Sequence, residues 1–167
     1  LAQRALAHLP PSDRFLRGLV ALQLGLAYDM AGQLAEAGRS YEEAAAIGRA
    51  ANLTFIRMMA ATQLADLKVV QGQLRAAATM YQQTIHLSAE SDKQLPIVSM
   101  VYSALGRLLY EWNDLAQAEQ TLHDSITWGQ RWAAADIRSI GLLHLAYIRL
   151  AQQQPQAARE LMQQSSH

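Results

Sequence analysis

The stretch AGQLAEAGRSYEEA at residues 31–44 decides the fold, because its spacing returns as QGQLRAAATMYQQT at residues 71–84. Both copies contain Gly-Gln-Leu, then an alanine after two residues, then a tyrosine after three more. Related turns follow as NDLAQA at 113–118 and QQPQAA at 153–158, so that the offsets are 40, 41 and 40 residues. A fixed period of this length is typical of repeat proteins, in which each repeat is one supersecondary unit.

The repeated positions have the chemistry that helix packing needs. We place four alanines in register and a larger side chain four residues after each: Ala37, Ala77, Ala118 and Ala157, followed by Tyr41, Tyr81, Leu122 and Leu161. Upstream of each turn a small residue follows a leucine, at Gly25, Ala65, Gly106 and Ala146. Small residues let two helices approach closely, and the larger side chain one turn on fills the groove between them. The pattern therefore predicts helical hairpins.

Gly and Asn at the turns tolerate the left-handed conformation that ends a helix, and Pro155 suits a first helical turn. We predict eight helices, at roughly 16–31, 34–51, 54–71, 74–90, 96–112, 115–131, 134–152 and 155–165. Residues 1–9 read as the second helix of an earlier, truncated repeat. One hairpin cannot bury its apolar face alone, so neighbours must stack. The predicted fold class is all-α, a right-handed α-solenoid of about four hairpins.

We expect residues 1–167 to form a single repeat domain excised from a larger protein. Its predicted parts are the end of a truncated repeat and four hairpins, at 1–12, 16–53, 54–95, 96–133 and 134–167. The chain has 14 basic and 14 acidic residues, without a block of like charge, which argues against direct contact with nucleic acid. It has no cysteine and no apolar run near the roughly 18 residues of a membrane span. We therefore expect a cytoplasmic protein that does not enter a membrane.

In a solenoid of this type the first helix of each hairpin lines a concave groove. The positions that point there combine an apolar floor with a few polar side chains, which suits a peptide or a modest polar ligand. The candidate binding residues are Asp29, Thr62, Asp66, Arg107, Tyr110, Glu111 and Tyr147.

Arg107 admits two interpretations. It is a candidate ligand clamp for a carboxylate, a phosphate or a carbonyl group. The favoured alternative is an ordinary ion pair, with Glu111 at the i,i+4 position or with Asp66 of the neighbouring repeat. Similarly, Trp128 and Trp132 form either an exposed patch for a partner or, as we favour, part of a packed interface.

No pattern of residues indicates catalysis. The five histidines are scattered without ligand spacing, so no metal site is predicted. No serine lies in a G-x-S-x-G context, and no G-x-x-x-x-G-K-[ST] loop occurs. We predict a non-enzymatic domain without a cofactor.

The first repeat resembles the tetratricopeptide pattern, through Leu24-Gly25, Tyr28, Gly32, Ala37, Tyr41 and Ala44. Later repeats depart from it, with Lys68, Leu109 and Arg149 in place of the first tyrosine. HEAT-type repeats have a similar length but lack this Leu-Gly, Ala, Tyr register.

The phrase ALGRLLYEWNDLAQAEQTLHDSITWGQRW at 104–132 resembles the helical-repeat sensor domain of MalT-like regulators, the large ATP-dependent LuxR-type transcription activators. The resemblance implies a signal-sensing domain whose groove binds a protein or small-molecule inducer, and which contacts other domains of its parent chain. Two alternatives are a generic tetratricopeptide adaptor that binds a peptide segment of a partner, and a structural spacer that self-associates.

Overall fold

A computed structural model of the chain describes residues 9–89, 95–131 and 135–165, with the side chains of 135–137 left out. In these ranges the chain forms helices and no strand. The helices are α1 Arg14–Met30, α2 Leu34–Ala50, α3 Thr54–Val70, α4 Leu74–Ala89, α5 Ile97–Glu111, α6 Leu115–Arg131, α7 Ala135–Ala151 and α8 Pro155–Ser165. The predicted all-α class and the predicted helix order are confirmed, with helix ends within about two residues, the usual spread of such assignments. The helix predicted for the amino-terminal segment lies outside the described residues, because the description begins at Leu9.

The turn inside each hairpin has the same backbone geometry in all four repeats. A residue with positive φ follows the first helix, at Gly32, Gly72, Asn113 and Gln153. The amide of the next residue then donates to the carbonyl five positions earlier, as from Gln33 to Tyr28 at 2.9 Å. This bond satisfies a carbonyl at the helix end, which the helix itself leaves unpaired. In the fourth repeat an ordinary side chain, Gln153, adopts the conformation for which the other turns use glycine or asparagine.

Gln153→Gly is therefore expected to stabilise the protein by about 0.5–1 kcal/mol, because glycine adopts the φ of 59° without a steric penalty. The reverse change, Gly72→Gln, is expected to lower stability by a similar amount, although no atom lies within 4 Å of the position its Cβ would take. Thermal unfolding of both variants tests this. Shifts of the melting temperature in the same direction would contradict it.

The chain divides into two compact units, Leu1–Gln94 and Leu95–His167. In the first unit α1 to α4 pack in chain order, and α1 also contacts α3. In the second unit α5 to α8 pack in chain order, and α5 also contacts α7. The organisation as a single repeat domain stays a prediction.

The repeated small residues lie where two helices touch, as predicted. A Cβ atom added to Gly25 would lie 2.4 Å from Cε1 of Tyr41, and one added to Gly106 would lie 2.7 Å from Cγ of Leu122. Tyr41 and Leu122 are themselves fully buried. The larger side chain of the second helix thus lies directly on the glycine backbone of the first, which is the close approach that the repeat pattern indicates.

The predicted register of the fourth repeat is wrong by one residue. The buried alanine is Ala158, fully buried, whereas Ala157 is partly exposed. Ala158 is five residues after the turn residue Gln153, as Ala37 is after Gly32, so the turn sets the helix phase. The position four residues later is then Met162 rather than Leu161.

Candidate functional site

The first helices of the hairpins carry most of the large apolar side chains that are exposed among the described residues. They are Phe15, Leu16, Leu26, Met30 and Val70 in the first unit, and Met100, Ile140, Tyr147 and Leu150 in the second. Exposed apolar side chains grouped on one face, rather than scattered, are typical of an interaction surface. In each unit, therefore, the face formed by the first helices is a candidate binding surface.

In the first unit, two of the candidate residues are carboxylates close to buried tyrosines. The Tyr81 hydroxyl of α4 donates to Oδ1 of Asp66 on α3 at 2.5 Å. The Tyr41 hydroxyl is buried, and no described residue accepts or donates a hydrogen bond to it. Burial, together with the negative charges of Asp29 and Asp66, raises the pKa of Tyr41 to about 12. Asp29 and Asp66 therefore lie close enough to Tyr41 for their negative charges to act on its hydroxyl.

Thr62 does not present its hydroxyl to solvent. The residue is 5% exposed, and its Oγ1 donates to the Met58 carbonyl at 2.8 Å within α3. The helical period correctly places Thr62 on α3, the first helix of its hairpin, but the neighbouring helices pack over its side chain.

In the second unit, Arg107, Tyr110 and Glu111 lie on one face of α5. Arg107 and Glu111 are exposed, and Tyr110 is partly buried. The alternative interpretation as an ion pair between Arg107 and Glu111 is not seen among the described residues. The Arg107 guanidinium is therefore available to a ligand.

Tyr147 of α7 is exposed and makes an edge-to-face contact with His144, at 6.0 Å between ring centroids.

Sequence reasoning missed an ion pair between hairpins of the second unit. Arg149 of α7 donates to both carboxylate oxygens of Glu119 on α6, with Nη1 at 2.9 Å from Oε2. Both side chains are about one quarter exposed. Arg149 occupies the position that Tyr28 has in the first repeat. This replacement of tyrosine by arginine was the sequence feature that could have indicated the ion pair.

Arg149→Gln is expected to lower the free energy of unfolding by about 1 kcal/mol, because it removes a bidentate, partly buried pair. Arg39→Gln is the control, since Arg39 pairs with Glu36 on the surface of one helix at 2.9 Å, with the arginine 71% exposed. Its expected effect is at most about 0.5 kcal/mol. Urea unfolding at low and high salt would show the difference; equal losses in the two variants would refute it.

A cavity of about 430 Å³ lies between α2, α3 and α4 of the first unit. Arg49, Arg57 and His86 line it together with apolar side chains that include Leu64, Met80 and Leu87. The repeat pattern did not predict it, because none of these three basic residues is a repeated position. A usable signal was that no acidic residue stands three or four positions from Arg49 or Arg57.

Two general features of the described part of the chain bear on function. No group of three or more histidine and carboxylate side chains is arranged there to hold a metal ion. None of its helices is long and apolar enough to cross a membrane.

Several solved structures share this fold. BtubC (BKLC) from P. vanneervenii is 20% identical, with a TM-score of 0.79 over 99% of this chain and 69% of that one. The apo form of RapI is 15% identical, with a TM-score of 0.81 over 98% of this chain and 58% of its own. A signal transduction ATPase with numerous domains (STAND) and a tetratricopeptide repeat sensor, from Pyrococcus horikoshii, is 13% identical, with a TM-score of 0.77 over 98% of this chain and 25% of that protein. At these identities the similarity shows the fold alone, and it confirms the predicted tetratricopeptide-like repeat.

No curated protein sequence is similar enough to count as a relative. The family model for the MalT-like tetratricopeptide region, however, matches residues 1–167, which is the whole chain. The resemblance seen in the 104–132 phrase is thereby confirmed, and the chain belongs to the family of MalT-like tetratricopeptide regions.

Proposed function

We propose that the chain is the signal-receiving domain of a bacterial transcription regulator of the LuxR/MalT type, that it acts in the cytoplasm, and that it has no catalytic activity of its own. The whole-chain match to the MalT-like family supports the proposal most directly. The STAND protein of similar fold also supports the proposal, because its tetratricopeptide repeats are described as a sensor. In this proposal an inducer or regulatory protein binds the exposed first-helix faces, while the rest of the parent chain contacts DNA.

The proposed binding residues are six of the seven predicted side chains, Asp29, Asp66, Arg107, Tyr110, Glu111 and Tyr147; Thr62 is buried and does not contribute. Arg107 is the anchor in the second unit, since its guanidinium has no ion-pair partner among the described residues. Asp29 and Asp66 supply a negative potential in the first unit. Binding acts by population shift: a ligand that fits one arrangement of the hairpins better than another increases the population of that arrangement.

Isothermal titration calorimetry of the chain against candidate sugars, peptides and regulatory proteins tests this proposal. For a ligand that binds the second unit, Arg107→Gln is expected to weaken the affinity about tenfold, the usual effect of losing one charge-assisted hydrogen bond. Arg131→Gln is the matched control, because Arg131 stacks on Trp128 at 4.9 Å and is not on a first helix. Absence of heat with every candidate, or equal weakening by both substitutions, would contradict the proposed role of the first helices.

The alternative function is that of a generic adaptor, whose first-helix groove binds a peptide segment of a partner. The carboxylates of Asp29 and Asp66 favour it, because they fit a lysine or arginine side chain of such a segment. The parent sequence discriminates between the two functions. A P-loop ATPase before the repeats and a DNA-binding helix-turn-helix after them are expected for the regulator and not for an adaptor.

A further inference from the structure

The cavity between α2, α3 and α4 results from how the hairpins of the first unit stack. The first helices α1 and α3 contact each other, whereas the second helices α2 and α4 have no backbone contact along their described lengths. The second helices therefore leave a gap whose floor is α3. The resulting cavity of about 430 Å³ is within the range of small-molecule sites, roughly 300–1,000 Å³.

The position of Arg57 in this cavity depends on a glycine. Gly48 of α2 is buried, and a Cβ atom added to it would lie 2.9 Å from Cγ of Arg57 and 3.0 Å from its backbone nitrogen. The aliphatic part of Arg57 thus packs on the bare backbone of Gly48. Packing of the stem limits the side chain's freedom, so that less entropy is lost when its guanidinium binds a ligand.

The charge of the cavity is positive and is not neutralised by its described lining. Arg49 and Arg57 have no ion pair with any described residue, and no described lining residue is acidic. Two guanidinium groups on one cavity are suited to an oxyanion, because their planar donors match the geometry of a carboxylate or phosphate.

The remaining wall of the cavity is largely apolar. Leu64 of α3 and Met80 and Leu87 of α4 line it beside the basic groups. A ligand that used the whole cavity would therefore have an anionic head and an apolar body, since burial of apolar surface adds to the affinity that the charged contacts supply.

We propose that this cavity is a binding site for an organic carboxylate with an apolar body, held at its head by Arg49 and Arg57. The carboxylate belongs either to a small-molecule acid or to the carboxyl terminus of a peptide that ends in an apolar residue. The site lies on the side of the second helices, so it does not depend on the first-helix surface of the proposed function. The first unit then has two binding sites for different chemical classes: an organic carboxylate in this cavity, and a cationic group near Asp29 and Asp66.

A titration of the ¹⁵N-labelled chain with sodium octanoate, followed by two-dimensional NMR, tests the proposal. Octanoate is expected to shift amide signals of the residues around Gly48, Ala61 and Leu87, and to bind at least about tenfold more tightly than acetate, because acetate lacks the apolar body. Octyltrimethylammonium, with the same tail and the opposite charge, is expected to leave these signals unchanged. A hexapeptide that ends in a free leucine carboxylate is compared with the same peptide as its carboxamide. This comparison shows whether the site binds the carboxyl terminus of a peptide, as distinct from a small-molecule acid.

The double variant Arg49→Gln, Arg57→Gln is expected to weaken octanoate binding at least about tenfold, because both charge-assisted contacts are lost. Arg75→Gln is the control: Arg75 is an exposed arginine of the same unit that does not line the cavity. Far-UV circular dichroism checks that the variants fold. Equal octanoate binding by the double variant and the wild type, equal binding of octyltrimethylammonium, or binding of neither octanoate nor the free-acid peptide would overturn the proposal.

Discussion

Gly25→Ala is expected to lower the free energy of unfolding by about 2 kcal/mol. The added Cβ would lie 2.4 Å from Cε1 and 2.5 Å from Cδ1 of Tyr41, whose side chain is fully buried. Overpacking of a dense core typically costs about 1–3 kcal/mol. The gain of up to about 1 kcal/mol from replacing glycine inside a helix offsets only part of this loss. Urea unfolding of wild type and variant measures the difference.

Gly38→Ala is the matched control for this prediction. Gly38 also lies inside a helix, but a Cβ atom there would meet only Cδ1 of Leu67, at an ordinary contact distance of 3.7 Å. The substitution is therefore expected to be neutral or to stabilise the protein by up to about 1 kcal/mol. If both substitutions destabilised the protein equally, the loss would not arise from the contact between Gly25 and Tyr41.

Tyr81→Phe is expected to lower the free energy of unfolding by about 2 kcal/mol, whereas Tyr41→Phe is expected to leave it unchanged or to raise it. The two tyrosines occupy the same position in successive repeats, and both are fully buried. Tyr81 donates a hydrogen bond to the Asp66 carboxylate, and bonds to charged groups are worth about 1.5–3 kcal/mol. The Tyr41 hydroxyl has no hydrogen-bond partner among the described residues, so its removal eliminates a desolvated polar group without breaking a bond. Thermal and urea unfolding at neutral pH compare the pair.

Alkaline pH provides an independent check on Tyr41. Its pKa in the folded protein is raised from 10.0 to about 12, so the folded state keeps a proton that the unfolded state loses. The stabilisation is complete below pH 10 and is lost as the pH rises toward 12, so that the wild type loses stability in this window. Tyr41→Phe is expected to lose less stability over the same window, because the group that titrates differently is gone. Identical alkaline unfolding of the two proteins would contradict the buried position of this hydroxyl.

The candidate site was predictable from the sequence only as far as the helical period allows. The period places Arg107 and Glu111 on the exposed side of their helix, and the structure finds them there. It also selects Thr62, which the structure buries, because the period of one helix carries no information about what its neighbours cover. The sequence shows that Arg49 and Arg57 have no acidic residue three or four positions away, but it does not predict the cavity, which depends on the separation of α2 from α4.

The sequence by itself determined the all-α class, the order of the helices and the turns between them. These follow from local chemistry: small residues at a fixed spacing, and residues that tolerate positive φ at Gly32, Gly72 and Asn113. Only the tertiary structure decided the partners of the repeated side chains. The equivalent tyrosines Tyr41 and Tyr81 differ in hydrogen bonding, because Asp66 accepts from the Tyr81 hydroxyl and not from that of Tyr41. Likewise, Arg149 pairs with Glu119 on another helix. Those partners depend on distances between helices, to which residues far apart in the chain contribute together, so no local pattern encodes them.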